Sequence, residues 1–282
     1  MRKPFILALI VAQMVSSGQT TKAKTSRLEI ESKISLRYAE TRVESEMQNP
    51  ESFAQEITFS MILPETAFIS NFSMIIKNAE IVGKVMEKQE ALEEYNEAKR
   101  IGISSGLVKK ERFSNKFSIS TNVEARETVI FRLKYEELLE RSNKKYHHNI
   151  NLFSHGDVDK LNVEIFINES LPLSALTVSE VKNNNDITAF EPVDGADIAW
   201  DEESAEAHIV YEPRGENKAG QLSIEYDVVR EKGENELQVI DGYFVHFFSD
   251  DKVPTQPKQV VFVLDVSGSM SGDNTFIVLR LS

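Results

Sequence analysis

The clearest pattern of apolar and polar positions lies over residues 28–38. Leu28, Ile30, Ile34, Leu36 and Tyr38 take even positions, and Glu29, Glu31, Lys33 and Arg37 take odd ones. A period of two puts one face against a core and one toward water, so the run predicts a single β-strand. Further strand-like runs fall at 41–47, 53–63, 68–77, 81–86, 113–121 and 128–135. Together they predict an antiparallel β domain, a sandwich or open barrel. One segment departs from this period. Over 87–100, Ala91, Leu92, Tyr95 and Ala98 share a helical face, with Glu87, Glu90, Glu93 and Glu94 early and Lys99 and Arg100 late. That charge order complements a helix dipole, and Gly102 can end the helix, so an amphipathic helix packed on the sheet is expected.

A second β-rich segment covers 155–256. Leu161, Val163, Ile165 and Ile167 alternate, as do Leu222, Ile224, Tyr226 and Val228, with polar turns such as Asn183-Asn184-Asn185-Asp186 between runs. Residues 242–248 are apolar on both faces, and Pro254 and Pro257 then mark a linker. Beyond it, Val260-Val261-Phe262-Val263-Leu264 shows no alternation, which predicts a strand buried on both sides.

The chemistry-bearing stretch follows that strand. Asp265, Ser267 and Ser269 put a carboxylate and two hydroxyls in a tight glycine-containing turn. Such a donor set at the carboxyl end of a buried strand suits a hard divalent cation that takes oxygen ligands and keeps some waters. No nitrogen or sulfur donor stands nearby, which argues against zinc. Met270 occupies the position where a nucleophile elbow needs serine, and no Gly-Lys-Ser/Thr follows, so neither that motif nor a phosphate loop is present.

Composition narrows the partners. The 282 residues carry a formal net charge of −13, which argues against nucleic acid. Arg2 and Lys3 precede an apolar run from Phe5 to Val15, then Ser16, Ser17 and Gly18, so residues 1–18 predict a cleaved secretory signal. That run is too short to span a membrane, and no second long apolar segment exists. Cysteine is absent, which removes thiol chemistry. Asn71-Phe72-Ser73 and Asn168-Glu169-Ser170 are glycosylation sequons, making Asn71 and Asn168 candidate modification sites. His147 and His148, close to Arg141, Lys144, Lys145 and His155, are expected on a solvated loop that forms the best local basic patch, a surface for weak contact with sulfated or uronic-acid polymers. His208 and His246 fall in strand-like runs and are expected within sheets. No constellation points to catalysis, so an enzyme is not expected.

Two motifs resemble known modules. Ala91-Leu92-Glu93-Glu94-Tyr95-Asn96-Glu97-Ala98, followed by Gly102 and Ser105-Gly106-Leu107-Val108, is similar to the signature of the vault and inter-α-trypsin-inhibitor (VIT) domain. Asp265-x-Ser267-x-Ser269 resembles the metal-ion-dependent adhesion site (MIDAS) of the von Willebrand factor type A domain. The order of parts resembles the inter-α-trypsin inhibitor heavy chains. The expected fold is mainly β with one amphipathic helix. Its parts are a signal peptide (1–18), an antiparallel β-sandwich or open-barrel VIT domain (25–154), a β-rich linking segment (155–256) and the first strand and metal loop of an incomplete α/β type A domain (257–282).

The resemblance also implies function. Ser267 and Ser269 would bind Mg2+ or another divalent cation directly and Asp265 through water. The family completes this site from downstream loops, so weak or no binding is expected of a chain carrying only the domain's start. The implied role is that of a secreted, non-enzymatic matrix or adhesion protein. Extracellular proteins are the implied partners, with hyaluronan, chondroitin sulfate or a Kunitz-type inhibitor as partners of full-length relatives. The family's Asp-Pro-His-Phe processing site, whose aspartate becomes ester-linked to glycosaminoglycan, has no counterpart in this sequence, so that covalent chemistry is not carried over. Two other roles compatible with the domain order are a carrier subunit of a serine-protease inhibitor complex and an intracellular VIT-domain scaffold.

Overall fold

The computed structural model describes residues 23–83, 107–110, 116–152, 158–181, 191–201, 203–213, 220–229, 236–240 and 242–247. All regular elements among them are β-strands. In chain order these are β1 (Lys24–Ser35), β2 (Tyr38–Gln48), β3 (Gln55–Ile62), β4 (Phe68–Ile76), β5 (Ala79–Val82), β6 (Leu107–Lys110), β7 (Lys116–Val123), β8 (Thr128–Leu138) and β9 (Arg141–Ser142). There follow β10 (Lys145–Asn151), β11 (Val158–Asn168), β12 (Leu173–Val181), β13 (Glu191–Pro192), β14 (Ala196–Trp200), β15 (Glu206–Tyr211), β16 (Gln221–Val228), β17 (Glu236–Ile240) and β18 (Tyr243–Phe247). The helix expected over 87–100 and everything from residue 248 onward lie outside the described residues.

An eight-stranded sheet in the order β14-β15-β11-β1-β2-β8-β4-β5 forms one layer. Against its inward face lie a three-stranded sheet, β3-β7-β6, and a five-stranded sheet, β13-β12-β16-β10-β9. The β1–β11 pairing is parallel, and the other pairings among the described residues are antiparallel. Through β11, β14 and β15 the large sheet runs straight across position 154, where a domain boundary was expected. Alternation decides which side chains enter the core. Leu28, Ile30 and Ile34 of β1, Val43 of β2, Phe131 and Leu133 of β8 and Ile165 of β11 point inward and are at most 2% exposed. Phe59 of β3 stacks on Phe131 at 5.5 Å, and Phe117 of β7 meets Phe72 of β4 at 5.4 Å, so aromatic rings join the three-stranded sheet to the large one.

Two sequence expectations are corrected. Residues 28–38 are two strands, not one. Leu36 and Arg37 have φ of 51° and 61° and form a two-residue hairpin loop, and Arg42 then faces Glu31 in the returning strand. Positive φ at both loop positions matches the twist of the flanking strands, which is why such turns close hairpins. The same device recurs at Lys77-Asn78 and Asn143-Lys144. The second correction concerns His147 and His148, which lie not on a loop but within β10, bracketed by Tyr146 and Ile150. The apolar run over 242–248 contains β18, which among the described residues pairs with β17 alone. Leu237, Val239 and Phe244 of this hairpin are more than half exposed, and Val245 is 49% exposed.

Candidate functional site

The alternation of β10 sends Tyr146, His148 and Ile150 inward and His147 outward. Under His148, Ser32 of β1 and Thr41 of β2 are cross-strand partners with hydroxyls 3.0 Å apart. His148 Nε2 lies 2.9 Å from Ser32 Oγ, and its Nδ1 lies 2.7 Å from Glu137 Oε1 of β8. An ionised carboxylate only accepts, so Nδ1 carries the donated proton. Ser, His and carboxylate in this order have the connectivity of an acyl-transfer triad. Burial decides against that use: Ser32, Thr41 and His148 are 0% exposed and Glu137 3%. A nucleophile must reach a reacting carbonyl, and this hydroxyl meets only protein. The arrangement serves as a polar tie between the five-stranded and eight-stranded sheets.

A second tie closes the same half. Glu169 follows β11 and is 7% exposed; its Oε1 accepts from the Arg37 backbone N–H at 2.9 Å and from the Tyr226 hydroxyl at 2.6 Å. Burial, reinforced by the Glu169 carboxylate, pushes the Tyr226 hydroxyl far above its ordinary value, so it stays a donor. The Arg37 guanidinium lies over the Tyr146 ring at 5.2 Å, a cation–π contact with the five-stranded sheet.

The outward face of the large sheet is a lattice of ion pairs. Arg27 contacts Glu29 at 2.9 Å and Glu44 at 2.8 Å, Arg132 contacts Glu44 at 2.8 Å, and Lys134 contacts Glu40 at 2.8 Å and Glu136 at 3.1 Å. Glu136 also accepts from the Tyr38 hydroxyl, and this bond, with Ser70 and Lys134, holds its carboxyl down at about 2. A shallow groove of about 410 Å³ crosses this face, bordered by Glu31, Arg42, Asn71, Glu80, Arg132 and Lys134. Its cations are already engaged by carboxylates of the same face.

The expected basic patch meets the same fate. Arg141 makes a two-pronged contact with Asp227 at 3.1 and 2.9 Å, and Lys145 pairs with Glu225 at 2.9 Å. Pairing of β10 with β16 sets Glu225 across from His147 and brings these acids within reach of the bases, so the surface for anionic polymers is largely neutralised within the fold. Lys144 sits exposed in the turn, and His155 lies outside the described residues. His208 is within β15, stacked on Phe166 at 4.5 Å, and His246 is within β18.

Of the expected site residues, Asn71 and Asn168 are both exposed. Asp265, Ser267 and Ser269 lie outside the described residues. Among the described residues no group of three or more His, Asp or Glu side chains is arranged to hold a metal ion, and no helix is long and apolar enough to cross a membrane. The Ser32–His148–Glu137 relay escaped sequence reasoning, although Tyr146-x-His148-x-Ile150-x-Leu152 carries the alternation that would have turned His148 inward.

Comparison with known proteins places these features. Residues 25–135 match the family described as "Vault protein inter-alpha-trypsin domain", which makes this a VIT-domain protein. The chain is 33% identical over 283 residues to "Inter-alpha-trypsin inhibitor heavy chain H3" of Pongo abelii, covering 96% of this chain and 31% of that one. It is 36% identical over 282 residues to "Inter-alpha-trypsin inhibitor heavy chain H4" of Homo sapiens, covering 94% and 30%. The chain belongs to the inter-alpha-trypsin inhibitor heavy chain family and spans about a third of the length of these relatives.

Proposed function

We propose that this chain is a secreted, non-enzymatic matrix or adhesion protein of the heavy-chain type, related to hyaluronan binding and matrix stabilisation. Kinship over nearly its whole length carries this reading. Burial of the Ser32–His148–Glu137 relay supports the non-enzymatic part, because that relay holds two layers together and faces no solvent. Residues 1–18 act as the leader, and the sandwich is a rigid platform for contacts with extracellular proteins. Asp265, Ser267 and Ser269 form a Mg2+-binding turn, a donor set of the right hardness for that ion.

The test is expression of the full chain in a secretory cell. The expected product is found in the medium with residues 1–18 removed, and it cosediments with hyaluronan-bearing matrix. Retention in the cytosol with the leader intact overturns the secretory part; a secreted chain that stays in the supernatant overturns the matrix part. A second reading, carriage within a protease-inhibitor complex, is favoured by the relatives' printed names. The chain has no cysteine for a Kunitz-type module of its own, so purified protein leaves trypsin active under either reading.

A further inference from the structure

The eight-stranded sheet ends at β14, whose far side has no strand beside it among the described residues. Its pairing with β15 fixes what that free side offers. The Glu212 N–H donates to the Gly195 carbonyl at 3.0 Å, and Asp197 and Ala199 stand opposite Val210 and His208 in the same phase of the ladder. Hydrogen-bonded pairs alternate with open ones along an antiparallel ladder, so Gly195, Asp197 and Ala199 turn their backbone groups to β15. Ala196, Ile198 and Trp200 turn theirs to the free side.

The same three residues belong to the inward row of the sheet, since they stand opposite Tyr211, Ile209 and Ala207, all buried. Ile198 is nonetheless 46% exposed, so the core row reaches the sheet edge without a cover. β14 has no Lys, Pro or bulge of the kind that keeps sheet edges apart, and its one charge, Asp197, lies in the outward row.

We propose that the free edge of β14 pairs with β14 of a second copy of this chain, antiparallel about a twofold axis at Ile198, joining two eight-stranded sheets into one. The inference goes beyond the secretory and matrix reading and does not depend on it. Side-chain chemistry selects the register. Centring the pair on Asp197 sets that carboxylate against its own copy, and centring it on Ala199 sets Asp197 against Asp201; like charges directly opposite destabilise a ladder. Centring on Ile198 sets Asp197 against Ala199, the bulky Trp200 against the small Ala196, and Ile198 against itself. Centres nearer the strand ends pair fewer residues. With Ile198 on the axis, the free-side amides and carbonyls of Ala196, Ile198 and Trp200 all find partners. Strands of five residues bury less than the roughly 1,200 Å² of a durable interface, so the dimer is weak and reversible. It forms where the chain is concentrated and gives one particle two copies of every other contact surface.

Purified full chain is followed by sedimentation velocity from about 1 μM to about 1 mM, the range in which small interfaces assemble. Mass is expected to move from one copy toward two, with the emission of Trp200, the chain's one tryptophan, shifting in step. Rising salt tightens the dimer, because each copy carries a formal charge of −13. Hydrogen exchange reads single residues: the amides of Ile198 and Trp200 slow severalfold as concentration rises, whereas those of Asp197 and Ala199, already bonded to β15, keep their rates. Ile198→Lys, at a half-exposed side chain, keeps the circular dichroism of the parent and weakens association at least about tenfold. Ala199→Lys places an ammonium opposite Asp197 of the second copy and tightens association severalfold at low salt, while Ala199→Asp loosens it. A chain that stays single over the whole range overturns the proposal, as does Ile198→Lys protein that associates as the parent does. Amides of Ile198 and Trp200 that are slow at every concentration assign the edge to another segment of this chain, and Ala199→Lys protein no tighter than the parent removes the register; either result overturns it too.

Discussion

The two halves of the sandwich are held together by different means. Beneath the three-stranded sheet the layers meet through Phe59, Phe72, Phe117 and Phe131, rings that fill space without fixed partners. Beneath the five-stranded sheet they meet through Ser32, His148, Glu137, Glu169 and Tyr226, groups that tolerate one arrangement. Aromatic packing supplies cohesion through buried area, whereas buried hydrogen-bonded charges contribute little net energy and penalise any misplaced register. The aromatic half lies within the matched VIT region, and the polar half is where the following segment docks on it.

Substitutions can break that contrast. Phe131→Ala removes a fully buried ring and is expected to cost about 4 kcal/mol in denaturant unfolding. Glu137→Leu leaves His148 buried without its acceptor and is expected to cost about 3 kcal/mol. Adding His148→Leu recovers most of that loss, because an apolar pair leaves no buried ring nitrogen without a partner; a double variant no more stable than the single one would show that the tie lies elsewhere. Tyr38→Phe is expected to cost about 1 kcal/mol at neutral pH, the scale of one hydrogen bond.

It also changes the acid limb. Glu136 is held at about 2 in the fold against an ordinary 4.5, so the unfolded chain binds that proton more readily. Its contribution is fully present above about 4.5 and is lost as pH falls toward 2. Unfolding midpoints of Tyr38→Phe should decline less steeply across that window than those of the parent chain. Smallest of all, Lys134→Ala is expected to change stability by less than about 1 kcal/mol, since its pairs are partly exposed.

Much of the β architecture was legible, and its failures have physical causes. Strand positions follow period two wherever one face is wet, as at Leu161 to Ile167. The first hairpin was hidden because Leu36 continues the alternation and neither Leu36 nor Arg37 is a usual turn residue, yet both adopt positive φ. His148 was hidden because its neighbours are polar; local composition read as solvent while alternation pointed inward. Neutralisation of Arg141 and Lys145 depends on Asp227 and Glu225, partners that only strand register reveals. The sequons were plain as tripeptides, but the free edge of β14 depends on a sheet order that no local pattern encodes.

The parallel junction of β1 with β11 sets the timetable of assembly. Until residues 158–168 leave the ribosome, β1 shows a bare row of amides and carbonyls to whatever strand arrives first. A fragment stopping near 154 should therefore self-associate through that row, and the intact chain should need a chaperone's protection during synthesis until its own later half takes the place.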